Sequence, residues 1–511
     1  MFAGAVKSPL IALLLMSMPS VALAQSDQDW KSCNAEDADA ALSACTRLIK
    51  TEKLDPEKRS TALSSRAAAY WRKHDYDRAV ADADKAIEFN PKNSDAYMRR
   101  GASYFGNGDY ERAFADVNQA IDIDPRNFKA YSNRGILYTI QREYERAISD
   151  ATKAIEINPK FPNPYAVRGN AYQGQGDHDR AIADLTKAIE LDPKSAGAYA
   201  NRANIHAIKG EYDQAVADST RAITIDPKLV GSYVSRAGFR AQKGDYDQAI
   251  ADGTKAIEID PASTRAYVIR ANSFIRKGDF DRAIADATRA IEINPKDPNA
   301  YDNRGFAHGR KGDYDRAIAD DTKAIEIDPK LAHVYRNRAM AYDQKGDYDL
   351  AIADYAKLIE IEPKNFGDAM SVGLSRFVKG DFERASVDLL HALELRADVY
   401  AILFRYLARA RSGEGDAALA ELAENAQRLK VRVWPYAFIE LYLGKRSPDE
   451  MLAAAVKVSD RCLTQFYVGE WHALKGNSGE AVAALSGAVG ICPKETMEYR
   501  TSTAELARLK S

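Results

Sequence analysis

The stretch YDNRGFAHGRKGDYDRAIADDTKAIEIDPK, from Tyr301 to Lys330, decides the fold. Its first half places Tyr301, Gly305 and His308 on one helical stripe, at steps of four and three. Gly312 ends that helix, and Asp313 is positioned to cap the next. The second half repeats the spacing with Ala317, Asp321 and Ala324. Pro329 cannot extend a helix, and it biases Asp328 away from helical geometry. The segment therefore reads as a helix–turn–helix.

The segment is one copy of many. Pro91, Pro125, Pro159, Pro193, Pro227, Pro261, Pro295, Pro329 and Pro363 stand at an unbroken spacing of 34. Nine copies fill Ser60 to Asn365. A period of this length with two helical halves marks a helical solenoid. Small residues recur where helices must approach closely. A first-helix column holds only Ala or Gly, from Ala67 to Ala339, and a second-helix column holds only Ala, from Ala79 to Ala351. A Tyr column, Tyr97 to Tyr335, supplies large packing residues with hydroxyls placed at the rim.

The Tyr, Gly/Ala, Ala and Pro columns at these offsets resemble the tetratricopeptide repeat (TPR) family. The resemblance covers the nine regular repeats. It implies an all-α fold, a right-handed superhelical solenoid of antiparallel helix pairs. It also implies that peptides or protein segments are held on the concave face, which first helices line.

Two polar columns run through the array. Arg66 to Arg338 occupy first helices, and Asp82 to Asp354 follow each Arg by 16 residues. Many TPRs carry Leu at this Arg position. Both signs recur together, so the columns read as a ladder of Arg–Asp pairs between helices, in preference to a row of Arg that grips acidic partners.

The flanks set the compartment. Met1 to Ala24 reads as a secretory signal peptide: Lys7, an apolar run from Leu10 to Met16, and a small-x-small site at Ala22-Leu23-Ala24. The mature chain is expected to begin at Gln25, with no membrane span after cleavage. The four cysteines, Cys33, Cys45, Cys462 and Cys492, form no C-x-x-C pair and suggest two disulfides in an oxidising compartment. A long array separates its ends, which leaves Cys33–Cys45 and Cys462–Cys492. Residues 25–59 read as an N-terminal cap in which Asp37 to Ile49 echoes a second helix and Trp30 covers the open end. Residues 366–511 read as degenerate repeats closed by a helix near Lys494 to Leu509.

In that last region Tyr442-Leu443-Gly444, Phe466-Tyr467-Val468-Gly469, Lys475-Gly476 and Glu498-Tyr499-Arg500 resemble the C-terminal part of NlpI-type bacterial envelope TPR adaptors. This second resemblance implies a periplasmic adaptor that docks envelope proteases or cell-wall hydrolases. The chain departs from that family by lacking a lipoprotein Cys and by its longer array.

The net charge of −2 argues against a nucleic-acid partner. The sequence has no G-x-S-x-G, no H-E-x-x-H and no phosphate-cradling Gly loop, so no catalytic residue, metal ligand or cofactor site is expected. His206 and His308 replace Tyr104, Tyr138 and Tyr172 in one column and read as packing residues. The concave face remains. Asn170, Asn204 and Asn272 share a groove-facing column, with Arg276 and Arg310 one turn on. Asn133, Asn201, Asn303 and Asn337 occupy the neighbouring column. An amide side chain bonds a peptide backbone without reading its side chains, so this set suits an extended segment of loose sequence. The expected function is an exported scaffold that binds protein segments in the groove. The alternatives are a glycan- or wall-binding module, for which Trp71 and Phe105 are the obvious aromatics, and an enzyme with its site within residues 366–511.

Overall fold

The computed structural model describes residues 27–51, 54–430 and 433–510. The signal peptide expected at 1–24 lies outside them. The described residues are helices and short connections, with no strand among them. The chain divides into two compact units, one ending at Lys243 and the other beginning at Gly244.

In the first unit a helix at residues 27–33 precedes Ala38–Lys50, which Asp37 caps by accepting from the Ala40 amide at 2.7 Å. Cys33 and Cys45 are bridged, with Cα atoms 4.7 Å apart. Trp30 packs on the cluster formed by these cysteines, Ala44, Leu48 and Ala62, so the bridge and the indole together cover the open end of the first repeat. The first full pair, Pro56–Arg72 and Tyr76–Phe89, starts four residues before Ser60, with Asp55 as N-cap. Four more pairs follow, to Ile225, and Val230–Lys243 ends the unit.

The second unit opens with Tyr246–Ile259. Three regular pairs come next: Thr264–Arg276 with Phe280–Ile293, Pro298–Arg310 with Tyr314–Ile327, and Ala332–Lys345 with Tyr348–Ile361. The turn chemistry works as the sequence implies. Gly312 sits at φ +80°, and Asp313 accepts from the Arg316 amide at 3.3 Å. In two repeats of the first unit a side chain takes that left-handed position instead, His74 at φ 59° and Arg142 at φ 61°.

The alanine columns are fully buried, Ala79, Ala113, Ala147, Ala181 and Ala215 each at 0% exposure. Close approach leaves no slack: a Cβ on Gly101 would stand 2.9 Å from a Val117 methyl.

Between the alanine layers run the Arg–Asp rungs. In eight repeats the Arg Nε donates to one carboxylate oxygen at 2.6–2.8 Å and Nη2 to the other at 2.7–2.9 Å, the two-pronged geometry that suits a guanidinium. The third nitrogen, Nη1, reaches back to the preceding second helix. Arg168, Arg202, Arg270, Arg304 and Arg338 thereby donate to Thr152, Thr186, Thr254, Thr288 and Thr322, and Arg100 to Asp84. Each of these six guanidinium groups also lies 5.4–5.8 Å from the centre of the Tyr ring three residues earlier. One Arg thus ties its own helix pair together and anchors that pair to the one before. The columns are structural.

After Asn365 the packing changes character. Phe366–Lys379 and Phe382–Leu395, Val399–Arg411 and Gly415–Gln427, then two short helices, lead to Val458–Leu474 and Ser478–Ile491. Their core is built of large side chains, with Phe377, Leu389, Leu403, Phe404, Phe438, Phe466 and Tyr467 fully or almost fully buried. Cys462 and Cys492 are bridged across the last pair, Cα atoms 5.0 Å apart. The closing helix, Met497–Lys510, packs against Phe366–Lys379 as well as the last pair. It brings charge into the core: Glu505 and Glu470, both fully buried, share Arg411 at 2.7 and 3.4 Å, and Arg508 bonds Glu505 and the Val378 carbonyl.

Candidate functional site

The second unit holds a groove along the first helices of its regular repeats. Thr264–Arg276, Pro298–Arg310 and Ala332–Lys345 line a cavity of about 930 Å³. Five of the nine groove residues read from the sequence border it: Asn272, Arg276, Asn303, Arg310 and Asn337. They do not all present free hydrogen-bonding groups. Asn303 is buried and donates to the Val268 carbonyl at 3.0 Å, and Asn337 donates to Asp302 at 3.0 Å. These two amides therefore hold neighbouring first helices in register. Asn272 is half-buried, Arg276 is exposed, and Arg310 is exposed with its guanidinium 5.8 Å from the Phe280 ring centre.

The other four candidates lie in the first unit. Asn201 donates to Asn170 at 2.9 Å, which again links adjacent first helices. Asn204 is exposed and Asn133 half-buried. The aromatic pair considered for a glycan is also in this unit. Trp71 is 43% exposed and donates to the Ala102 carbonyl at 3.2 Å, and Phe105 packs on Tyr110 at 5.7 Å. His206 bonds Glu211 at 2.6 Å, while His308 is buried, and burial holds its pKa below the ordinary histidine value. Among the described residues no three His, Cys, Asp or Glu side chains gather in a way that would hold a metal ion.

A second cavity of about 590 Å³ continues the groove and shares Phe306, Arg310 and Asn337 with the first. Gly305, Gly309, Ala317 and Asp321 border it on one side, Met340 and Gln344 on the other. Three acidic or glycine positions here depart from the rest of the array. The column of Asp321 holds Ala83, Val117, Ala151, Leu185, Ser219, Gly253, Ala287 and Tyr355 elsewhere. The column of Asp302 holds Met98, Ser132, Ala166, Ala200, Val234 and Val268 before it. That of Gly309 holds Trp71, Phe105, Thr139, Gln173, Ala207, Ala241 and Ile275. The groove-facing Asn column itself changes to Phe306 and Met340 in this stretch.

The electrostatics single out Asp321. It is 1% exposed, and neither carboxyl oxygen has a hydrogen-bond partner among the described residues. Burial, with Asp302 and Asp320 nearby, pushes its pKa up to about 9, so the group is neutral at physiological pH. Asp302, by contrast, is engaged twice, with Asn337 and with His333 at 3.1 Å, and that contact raises the imidazole pKa. Sequence reasoning placed Asp321 on the packing stripe with Ala317 and Ala324. The signal it missed was an acid in a column that holds no other charged residue.

Sequence models described as tetratricopeptide repeat match residues 64–128, 128–161, 167–229, 230–263, 298–331 and 332–365, and one described as TPR repeat matches 271–312. No curated protein matches the chain. Similar solved structures include YrrB, a TPR protein with an unusual peptide-binding site, at 24% identity over 36% of this chain and 95% of that one, TM-score 0.31. A tetratricopeptide repeat protein from Parabacteroides merdae ATCC 43184 is 20% identical over 48% of this chain and 97% of its own, TM-score 0.38. Yeast Tom70 is 18% identical over 80% of this chain and 99% of its own, TM-score 0.39. The sequence matches together span more than half of the chain, and it belongs to the tetratricopeptide repeat family.

Proposed function

We propose that the protein is an exported scaffold that holds an extended segment of a partner protein in the groove of its second unit. TPR folds are protein-binding scaffolds. The observation that carries the assignment to this groove is the cavity beside Asn272, Arg276 and Arg310, built on rigid helices and open along three successive repeats. Arg276 and Arg310 supply donors for backbone carbonyls or acidic side chains, and Asn272 supplies both donor and acceptor. Two bridged cysteine pairs support an oxidising compartment. With the signal peptide read from residues 1–24, they support export to the periplasm. The C-terminal resemblance to NlpI-type adaptors directs the search for partners to envelope proteases and cell-wall hydrolases. Among the described residues no helix is long and apolar enough to cross a membrane.

The test is binding of the full mature chain to an array of capped random 12-residue peptides, with Asn272→Ala, Arg276→Ala and Arg310→Ala combined as the comparison. The expected result is a set of bound peptides that the triple variant loses by about tenfold or more in affinity. Binding untouched by the triple variant would place the site elsewhere. A fusion of residues 1–30 to a reporter active only outside the cytoplasm tests export, and a silent reporter would remove the periplasmic assignment.

A further inference from the structure

We infer that the groove has one side-chain-selective position, a slot between Phe306 and Met340 that takes a long basic side chain of the bound segment onto Asp321. The inference rests on the groove reading above and deepens it by naming what the partner must present.

The slot is a property of one repeat. Gly309 is the glycine in a column of larger residues, and Gly305 lies directly over the acid, since a Cβ there would stand 2.5 Å from its Oδ1. Asp321 borders the second cavity with both carboxyl oxygens shielded, and at Gly305 only backbone, with no side chain, lies over them. The walls are apolar: Phe306 on one first helix and Met340, 55% exposed, on the next. An apolar sleeve over a carboxyl floor matches lysine or arginine, whose methylene stem packs while its charged head needs an acceptor.

Charge points the same way. Asp321 is faced by Asp302 on the preceding first helix, by Asp320 on its own helix, and by Asp354 and Arg338 from the following repeat. Arg338 is committed to Asp354, and Arg304 to Asp320, each through two bonds. Asp302 is held by His333 and Asn337. Arg310, Lys311 and Glu495 border the cavity as well. Lys311 is paired with Asp281, Arg310 lies by Phe280 and Glu495 is exposed, which leaves Asp321 as the buried acid of this cavity whose carboxyl has no hydrogen-bond partner among the described residues. A buried carboxyl without a partner is costly, and a cation seated on it would restore the missing bonds. Because the empty slot holds a protonated acid, seating a cation displaces that proton to solvent, about one proton for each basic side chain bound.

The peptide array above supplies the probe. Its strongest basic binder is resynthesised with the lysine or arginine replaced by norleucine. The expected result is enrichment of Lys or Arg at one register among bound peptides. Affinity should fall about tenfold to a hundredfold on the norleucine replacement. Titration calorimetry at pH 7.5 in buffers of different ionisation enthalpy should show proton release with the wild type and none with Asp321→Asn. Asp321→Asn keeps the shape, and Asp321→Ala reproduces what stands at Ala287, so both variants are expected to fold. Peptides that bind with no preference for a basic residue, or no proton release on binding, would overturn the slot and leave the groove standing. An array that retains no peptide would overturn both.

Discussion

Removing one arginine from the ladder tests whether the rungs carry the array. Take Arg168→Leu. In the wild type Nε and Nη2 meet Asp184 at 2.7 and 2.9 Å, and Nη1 meets Thr152 at 3.1 Å. The side chains of Arg168 and Asp184 are 20% and 12% exposed. Breaking a fully buried pair by removing one member costs about 3–5 kcal/mol, because the remaining charge is stranded. An exposed pair is worth under about 1 kcal/mol. The observed exposure lies nearer the buried limit, and Asp184 keeps some contact with water, so about 2–3 kcal/mol is expected. The double variant Arg168→Leu with Asp184→Leu strands no charge, and its packing loss is about 1 kcal/mol or less. Asp184→Leu strands Arg168 at a similar cost, so the coupling between the two sites is about 3–5 kcal/mol.

The measurement is urea unfolding of the four proteins of that cycle, together with amide exchange in helices Asn163–Gly174 and His178–Leu191. The faster exchange should centre on this repeat, because each repeat contacts mainly its neighbours. Raising salt to 0.5 M should change the wild-type rung little, since its charges are largely shielded from ions. A single variant that costs less than about 0.5 kcal/mol, or a double variant whose cost is the sum of the singles, would refute the ladder as a stabilising element.

Asp321 gives a pH prediction with a definite sign. Its native pKa of about 9 lies above the ordinary value near 4, so the native state binds the extra proton between those limits. Stability from this group is full below pH 4 and is lost as pH rises toward 9, at most about 1.4 kcal/mol per pH unit. Urea midpoints of the second unit should therefore fall with pH in the wild type, with a flatter profile in Asp321→Asn; equal slopes would contradict the unpartnered acid. The buried Glu470, raised by burial and by Glu505, acts in the same direction on the docking of Met497–Lys510, and Glu470→Gln should slow exchange in that helix at pH 8. Arg142→Gly should raise stability by about 1 kcal/mol, because the left-handed turn at φ 61° strains a side-chain-bearing residue. A destabilised variant would mean that the Arg142 side chain makes compensating contacts. Reducing the Cys462–Cys492 bridge, which spans a separation of 30 residues, should cost about 3–4 kcal/mol, read as a lower urea midpoint for the second unit that returns on reoxidation.

The repeat was legible because periodic packing writes itself into the sequence. Ala113 and Ala147 are buried to nothing, and any larger residue there would collide with the facing helix, so the column shows as unbroken Ala. The pairing of Arg with Asp 16 residues on could be read from two columns of opposite sign. The third bond of each Arg could not be read as easily. Its acceptor is Thr in most repeats, with Asn118 and Asp84 in others, and such exchange blurs a column whose only task is to present an oxygen. Both disulfides followed from chain order and solenoid geometry. The groove was half legible. Asn303 and Asn337 were singled out as groove amides, and both border the cavity, but their N–H groups bond neighbouring helices. An amide bonds a backbone carbonyl of its own chain as readily as one of a guest. Residue type and spacing contain nothing that separates the two.

The same regularity shows where to look for function. A residue that recurs in every repeat already has a repeat-wide task, and the Arg168 rung shows what that task is. Selectivity must come from positions where the pattern breaks without harming the stack. Repeat-wide exchanges such as Ala287 to Leu185 satisfy the packing stripe with another apolar group. Asp321 does not. It places an ionisable group where the fold offers no bond, at a stability cost that its own neighbours show to be avoidable. Gly305 accommodates it, and Phe306 and Met340 border the same cavity, all within reach of one groove. If Asp321→Ala gains stability while the array loses its preference for basic residues, the cost and the selectivity have one source. If it gains stability and the preference remains, Asp321 is only a local defect in the stripe, and selectivity must be sought at Arg276 and Arg310.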